Sequence, residues 1–160
     1  MRSAQEANLA IEKHADTVRR ICFVHLKNYH DTEDVFQDVF LKYILYDKKF
    51  ESDAHEKAWL IRVAINACKD TLKSLFRKRV SSIEELLTEP YTEDDKKEIL
   101  EAVFKLPPKY KDVIYLFYYE GYSALEIAAM LQKKENTIYT WLSRARAQLK
   151  TSLGGEPFEE

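Results

Sequence analysis

Apolar residues recur along this chain at every third or fourth position, block after block, and nowhere alternate one-in-two. A period near 3.6 buries one stripe of a helix and leaves the rest in water, so the chain is expected to be all-α. From about Ala4 to Asn28, the residues Leu9, Val18, Ile21, Cys22 and Leu26 share one face. Asp31 has the chemistry of an N-cap, with Asp34 three residues on, and Val35, Phe36, Val39, Phe40 and Tyr43 make the next stripe. A charged loop from about Tyr46 to Asp53 carries a single Phe50. A long helix over about Glu56 to Arg77 then turns Leu60, Val63, Ala64, Ala67, Cys68, Leu72 and Leu75 inward and ends in a run of bases.

The pattern lapses between Ser81 and Asp95. This stretch is rich in Glu and Asp and poor in large apolar residues, and it reads as an acidic linker. Charge is segregated accordingly. Residues 1–80 carry a balance of +3, residues 81–104 of −6 and residues 105–153 of +4, within a net −2 for the chain. The expected organisation is two small helical domains, 1–80 and 96–153, joined by the linker 81–95 and followed by an acidic tail, 154–160. In the second domain Leu106-Pro107-Pro108 breaks the chain, and Pro108 suits the first turn of a helix that Gly121 ends near Glu120. Ser123 caps a helix over about Ala124 to Leu131, and Gln132 to Glu135 turn the chain into a last helix, Asn136 to about Lys150.

Several function classes are excluded at this point. Every long apolar run is cut by a charge before it reaches membrane-spanning length. The first residues lead into a charged amphipathic stretch rather than an apolar signal core, so a cytoplasmic location is expected. Cys22 and Cys68 are too few to staple a secreted fold, and they and His14, His25, His30 and His55 lack metal-ligand spacing. No metal triad, nucleophile elbow or phosphate-cradling Gly loop is written in the chain. Neither an enzyme nor a cofactor, metal ion or small-molecule substrate is therefore expected. A net charge of −2 also implies weak DNA affinity for the isolated protein.

Two constellations remain. The last two helices have the arrangement of a helix-turn-helix. Ile127, Ala128 and Leu131 form the packing side of the first, and Ile138, Leu142 and Ala145 that of the second. Asn136, Tyr139, Thr140, Ser143 and Arg144 then point outward together, as a recognition helix requires of residues that reach base edges. A plain helical hairpin with a solvated face is the alternative reading. In the first block, Asp31 to Phe40 makes a helix acidic on one side and apolar on the other. An acidic face repels phosphates and suits a protein partner. The basic end of the following helix (Lys69, Lys73, Arg77, Lys78, Arg79) suits a nucleic-acid backbone. Each of these could equally be ordinary solvated surface.

Taken in order, these residues resemble a known family. Asp31…Asp34-Val35-Phe36-Gln37-Asp38-Val39-Phe40 and Ala58-Trp59-Leu60-Ile61-Arg62-Val63-Ala64-Ile65-Asn66 are similar to region 2 of extracytoplasmic-function (ECF) sigma factors. Leu106-Pro107-Pro108-Lys109-Tyr110, Glu126-Ile127-Ala128 and Thr137-Ile138…Leu142-Ser143-Arg144-Ala145-Arg146 resemble region 4 of the same family. The resemblance runs over roughly residues 10–150 and implies a dissociable subunit of bacterial RNA polymerase that directs it to promoters and opens the DNA. By position, Asp34, Gln37, Asp38 and Leu41 would meet the clamp helices of the polymerase. Phe50 and Asn66 would hold a flipped base of the −10 element, with Arg62, Lys69, Lys73, Arg77, Lys78 and Arg79 on the surrounding strand. Ser123, Asn136, Thr137, Tyr139, Thr140, Ser143 and Arg144 would read the −35 element. The other implied partners are the polymerase flap and an anti-sigma factor, which can hold such a protein at the membrane.

The sequence departs from the family at four places. Tyr139 and Trp141 stand where bases are common, and Gln132 and Asn136 where Gly is usual. Trp59 reads as core packing, and Trp141 as packing at the rim of the core, rather than base contacts. Tyr115, Phe117, Tyr118, Tyr119 and Tyr122 form an aromatic cluster expected to be mostly core, any exposed part offering a surface to the flap or to an anti-sigma factor. The competing class is a self-sufficient helix-turn-helix regulator that dimerises through the first block.

Overall fold

The computed structural model describes residues 1–78, with side chains as far as Ser74, and residues 101–154. The expected linker 81–95, the start of the second block near Lys96, Arg79 and the tail beyond Gly154 lie outside these residues. The described residues are helical with no strand. The chain divides into two compact units, Met1–Glu89 and Pro90–Glu160.

The first unit is a three-helix bundle in which each helix packs on the other two: α1 (Ala4–Leu26), α2 (Tyr29–Leu45) and α3 (Asp53–Lys78). Each start is fixed by a side chain that satisfies an orphan backbone N–H. Ser3 accepts from the Glu6 N–H at 3.1 Å, Asn28 from Asp31 at 2.9 Å, and Ser52 from His55 at 3.1 Å. Asp31 is therefore not the cap of α2 but the residue whose amide is capped. Asn28 has equal capping chemistry three residues earlier, and Tyr29 and His30 tolerate a helix. Lys27 closes α1 in the left-handed conformation at φ 58°.

The inner stripes read from the sequence meet in the core. Val18, Ile21, Cys22 and Leu26 pack with Val35, Val39 and Phe40 and with Leu60, Ile61, Ala64, Ile65 and Cys68, all buried. Burying each large side chain is worth roughly 1.5–3 kcal/mol, which makes the apolar stripe the main determinant of the bundle. Leu9, at 50% exposed, and Val63 and Leu72, half-buried, depart from the expected stripes, while Ile61 and Ile65 take inner places on α3; the Leu75 side chain lies outside the described residues. The polar ties sit at the edge of this core. Arg19 donates two hydrogen bonds to Glu33, at 2.9 and 3.1 Å, and lies over the Phe36 ring at 4.0 Å. That bidentate bond holds the guanidinium pKa above its usual value.

In the second unit, residues 101–104 are helical and lead to α4 (Pro108–Ile114), α5 (Ala124–Leu131) and α6 (Glu135–Ser152). Both α4 and α5 pack on α6. Val113, Leu116, Ile127, Ile138, Leu142 and Leu149 form the core. The helix from Pro108 does not run regularly to Glu120. It widens into a π-helical turn over Tyr115–Tyr119, closed by bonds from Glu120 N–H to Tyr115 C=O and from Tyr122 N–H to Leu116 C=O. The wide turn buries Leu116 but leaves the aromatic cluster at the surface. Tyr115, Phe117, Tyr118 and Tyr122 are half-buried and Tyr119 is 60% exposed, so the cluster is not core.

Candidate nucleic-acid interface

The outer face of α3 is laid out by helical geometry. Trp59, Arg62, Asn66, Lys69 and Lys73 follow one another at three- and four-residue steps, so they form one stripe along the helix. Asn66 and Lys73 are exposed, and Arg62 and Lys69 are half-buried. The exposed amide of Asn66 thus stands among cations, and it offers both a donor and an acceptor to a base edge. Arg77 and Lys78 continue the helix backbone.

At the start of this stripe the loop after α2 folds into an aromatic cluster. The Phe50 ring lies parallel to Tyr43 (centroids 6.1 Å apart, 3° between planes) and stacks on Tyr46 at 5.5 Å. Trp59 closes the cluster, 4.6 Å from Tyr46 and 5.6 Å from Phe50. Trp59 is half-buried in this packing, at the edge of the core rather than within it as expected. Beneath the cluster Tyr43 donates to Glu56 at 2.8 Å, and His14 Nε2 faces the other oxygen of Glu56 at 3.1 Å. Burial, then the bond to Glu56, pushes the Tyr43 pKa up to about 12, so its hydroxyl stays a donor. Two participants were not singled out from sequence: Tyr46, and Arg2, which lies over the Tyr43 and Phe50 rings at 4.6 and 4.9 Å. A periodicity argument cannot find a partner more than forty positions away.

The outer face of α2 differs in kind. Asp34, Gln37, Asp38 and Leu41 are all exposed on it, and Leu45 extends the apolar end; Leu41 and Leu45 are 54% and 59% exposed. A short apolar strip edged by carboxylates suits a protein partner with an apolar and basic face. Leu45 was legible, since it lies four residues beyond Leu41.

In the second unit α5 and α6 form the helix-turn-helix. Ser123 and Glu126 make a reciprocal capping box, so the Ser123 hydroxyl is already engaged at the start of α5. Gln132 takes the left-handed conformation, φ 57° and ψ 48°. Its N–H and that of Lys133 bond back to Ala129 and Ala128 carbonyls in a Schellman turn. Ile138, Leu142 and Ala145 are buried as expected, whereas Leu131 is half-buried and Met130 takes the inner place. Opposite them Asn136, Tyr139, Thr140, Ser143 and Arg144 are exposed, with Thr137 half-buried beside them. Trp141 is half-buried, and the amino groups of Lys109 and Lys133 lie 5.4 and 6.0 Å from its ring centre. These two cations were not foreseen. No group of three or more His, Cys, Asp or Glu that could hold a metal occurs among the described residues, nor is any helix there long and apolar enough to cross a membrane.

Comparison with known proteins agrees with this division. Residues 10–79 match the family model for sigma-70 region 2, and residues 96–149 that for sigma-70 region 4. The ECF RNA polymerase sigma factor SigW of Bacillus subtilis is 26% identical, over 89% of this chain and 86% of its own length. The ECF RNA polymerase sigma factor SigE of Mycolicibacterium smegmatis is 28% identical over 89% of this chain, which spans only 60% of that longer protein. The fold is that of the sigma factor RpoE of Bartonella quintana, solved in complex with the anti-sigma factor NepR (TM-score 0.72, 23% identity, 93% of this chain and 94% of that one). With both regions present in order, and relatives of one kind along most of its length, the chain belongs to the extracytoplasmic-function sigma factors.

Proposed function

We propose that this protein is an alternative sigma factor that joins core RNA polymerase, directs it to promoters by their −10 and −35 elements, and helps to open the DNA. The observation that carries the reading is the segregation of its outer faces. An acidic and apolar strip on α2, an amide among cations on α3, and a polar face on α6 belong to three different kinds of contact. Asp34, Gln37, Asp38 and Leu41 take the polymerase clamp. The acidic edge of that strip repels phosphates, so it keeps α2 off the DNA that α3 must approach.

The aromatic floor around Phe50, in the loop before α3, receives an extruded −10 base, and Asn66 on α3 pairs with its edge. Arg62, Lys69, Lys73, Arg77, Lys78 and Arg79 hold the strand. On α6 Asn136, Thr137, Tyr139, Thr140, Ser143 and Arg144 read the −35 duplex. Ser123 presents a helix start at which a phosphate can bind. Lys109 and Lys133 add positive charge beside that of Arg144 on the recognition helix. Residues 1–80 and 96–153 serve as the two working domains, joined by the linker 81–95. The protein acts in the cytoplasm, and an anti-sigma factor that covers these faces is its expected regulator, able to hold it at the membrane.

Energy of promoter binding comes mainly from the polymerase, which accounts for a DNA-acting chain with net charge −2. The chain assists strand opening by capturing bases and forms no covalent bond. The test is run-off transcription with core enzyme on a randomised promoter library, paired with duplex binding by the protein alone. The expected result is selective initiation with core enzyme and weak duplex binding without it. Tight unaided binding to a defined duplex, with no association with core polymerase, would overturn the proposal.

A further inference from the structure

We infer that Arg2 is a positioning residue for the −10-reading loop, locking Phe50 in place from the far end of the chain. This rests on the proposed role of Phe50 in base capture. The side chain of Arg2 is 11% exposed, unusual for a charged residue. Its Nε donates to the Tyr43 carbonyl at 3.1 Å and its Nη2 to the Lys48 carbonyl at 2.6 Å. Its backbone N–H donates to the Ile44 carbonyl at 2.9 Å. Tyr43 and Ile44 lie in the last turn of α2, where the Tyr43 carbonyl also accepts from the Tyr46 N–H at 3.2 Å, while Lys48 lies in the loop. One planar fork therefore ties the end of α2 to the loop beyond it.

The same guanidinium covers the parallel rings of Tyr43 and Phe50. That contact fixes the tilt of Phe50 as well as the path of the loop. The ion pair with Glu6, 3.5 Å away and four residues on, orients the fork from behind. An ammonium cannot reproduce this arrangement. It lacks the flat face that stacks and the fixed fork that reaches two carbonyls at once.

The test compares Arg2→Ala and Arg2→Lys in the full chain by two independent readouts. The first needs no DNA: amide hydrogen exchange in the loop, where the Tyr46 and Glu51 N–H groups are bonded at 3.2 and 3.0 Å. Exchange there should quicken in both variants while the core of α1 and α3 keeps its protection. The second is discrimination between promoters differing only at the captured −10 base, read as relative open-complex formation. It should fall roughly tenfold, the scale of one lost base–aromatic stack. A Phe50→Ala variant should lose as much, and combining it with Arg2→Ala should cost nothing further, since both act on one contact. Unchanged loop exchange, unchanged discrimination, full rescue by lysine, or loss of protection throughout the bundle would each overturn the inference. Failure of the wild-type protein to discriminate at all would instead count against the role of Phe50, and loop exchange would still decide whether Arg2 holds the loop.

Discussion

Replacing Tyr43 by Phe removes one hydroxyl from beneath the −10 cluster and leaves the ring in place. Tyr43 is 2% exposed and donates to Glu56 at 2.8 Å. A hydrogen bond to a charged acceptor contributes about 1.5–3 kcal/mol, so Tyr43→Phe should destabilise the first unit by that amount at neutral pH. Proton linkage gives the pH dependence of this contribution. The phenol pKa is raised from 10.0 to about 12. Two pKa units at about 1.4 kcal/mol each correspond to ~3 kcal/mol. That figure arises first from burial, which penalises the phenolate, and then from the bond to Glu56, so it measures how far the advantage falls when the phenol ionises. The fold favours the protonated phenol, so the contribution is complete below pH 10 and disappears as the pH climbs through about 12. The wild-type advantage over Tyr43→Phe should therefore close across that window. Urea denaturation at steps through the alkaline range measures it. A Trp141→Phe background leaves Trp59 as the sole tryptophan and reports on the first unit alone. Other tyrosines and lysines titrate equally in both proteins and cancel. Parallel loss of stability by the two proteins up to high pH would refute the argument.

Asp38→Arg reverses charge in the middle of the α2 strip, so it should abolish capture by core polymerase in a pull-down while leaving the thermal melt of the protein unchanged. Asn66→Ala alters an exposed residue and should shift stability by less than about 0.5 kcal/mol. It should still depress open-complex formation, seen by permanganate reactivity, far more than polymerase binding. Equal loss of both would point to a folding defect instead. Gln132→Gly relieves a side chain held at φ 57° and should stabilise the second unit by about 0.5–1 kcal/mol, seen as a higher midpoint in thermal unfolding.

The parts of this protein that were legible share one property: the signal and its consequence lie within a few residues. Val35, Val39 and Tyr43 face inward because a helix repeats every 3.6 residues. Ser123 caps α5 and Gln132 turns left-handed because the adjoining helix ends demand it. The same locality explains the errors. Asn28 and Asp31 have equivalent capping chemistry, and only the packing of α1 against α2 chooses where the second helix begins. A π turn at Tyr115–Tyr119 breaks the period on which the inward reading of that cluster depends, and it brings those rings to the surface.

The amino-acid order alone therefore settled the class of fold, most of the inner stripes and the outward face of α6, since helical phase follows from neighbouring positions. What it left open was which distant groups meet. Arg2 reaches the end of α2, His14 and Tyr43 converge on Glu56, and Trp59 closes over Tyr46 only when three helices bury a common core. Those contacts span thirteen to more than forty positions. Their register is chosen by how the buried side chains interlock, and linear spacing carries no information about it.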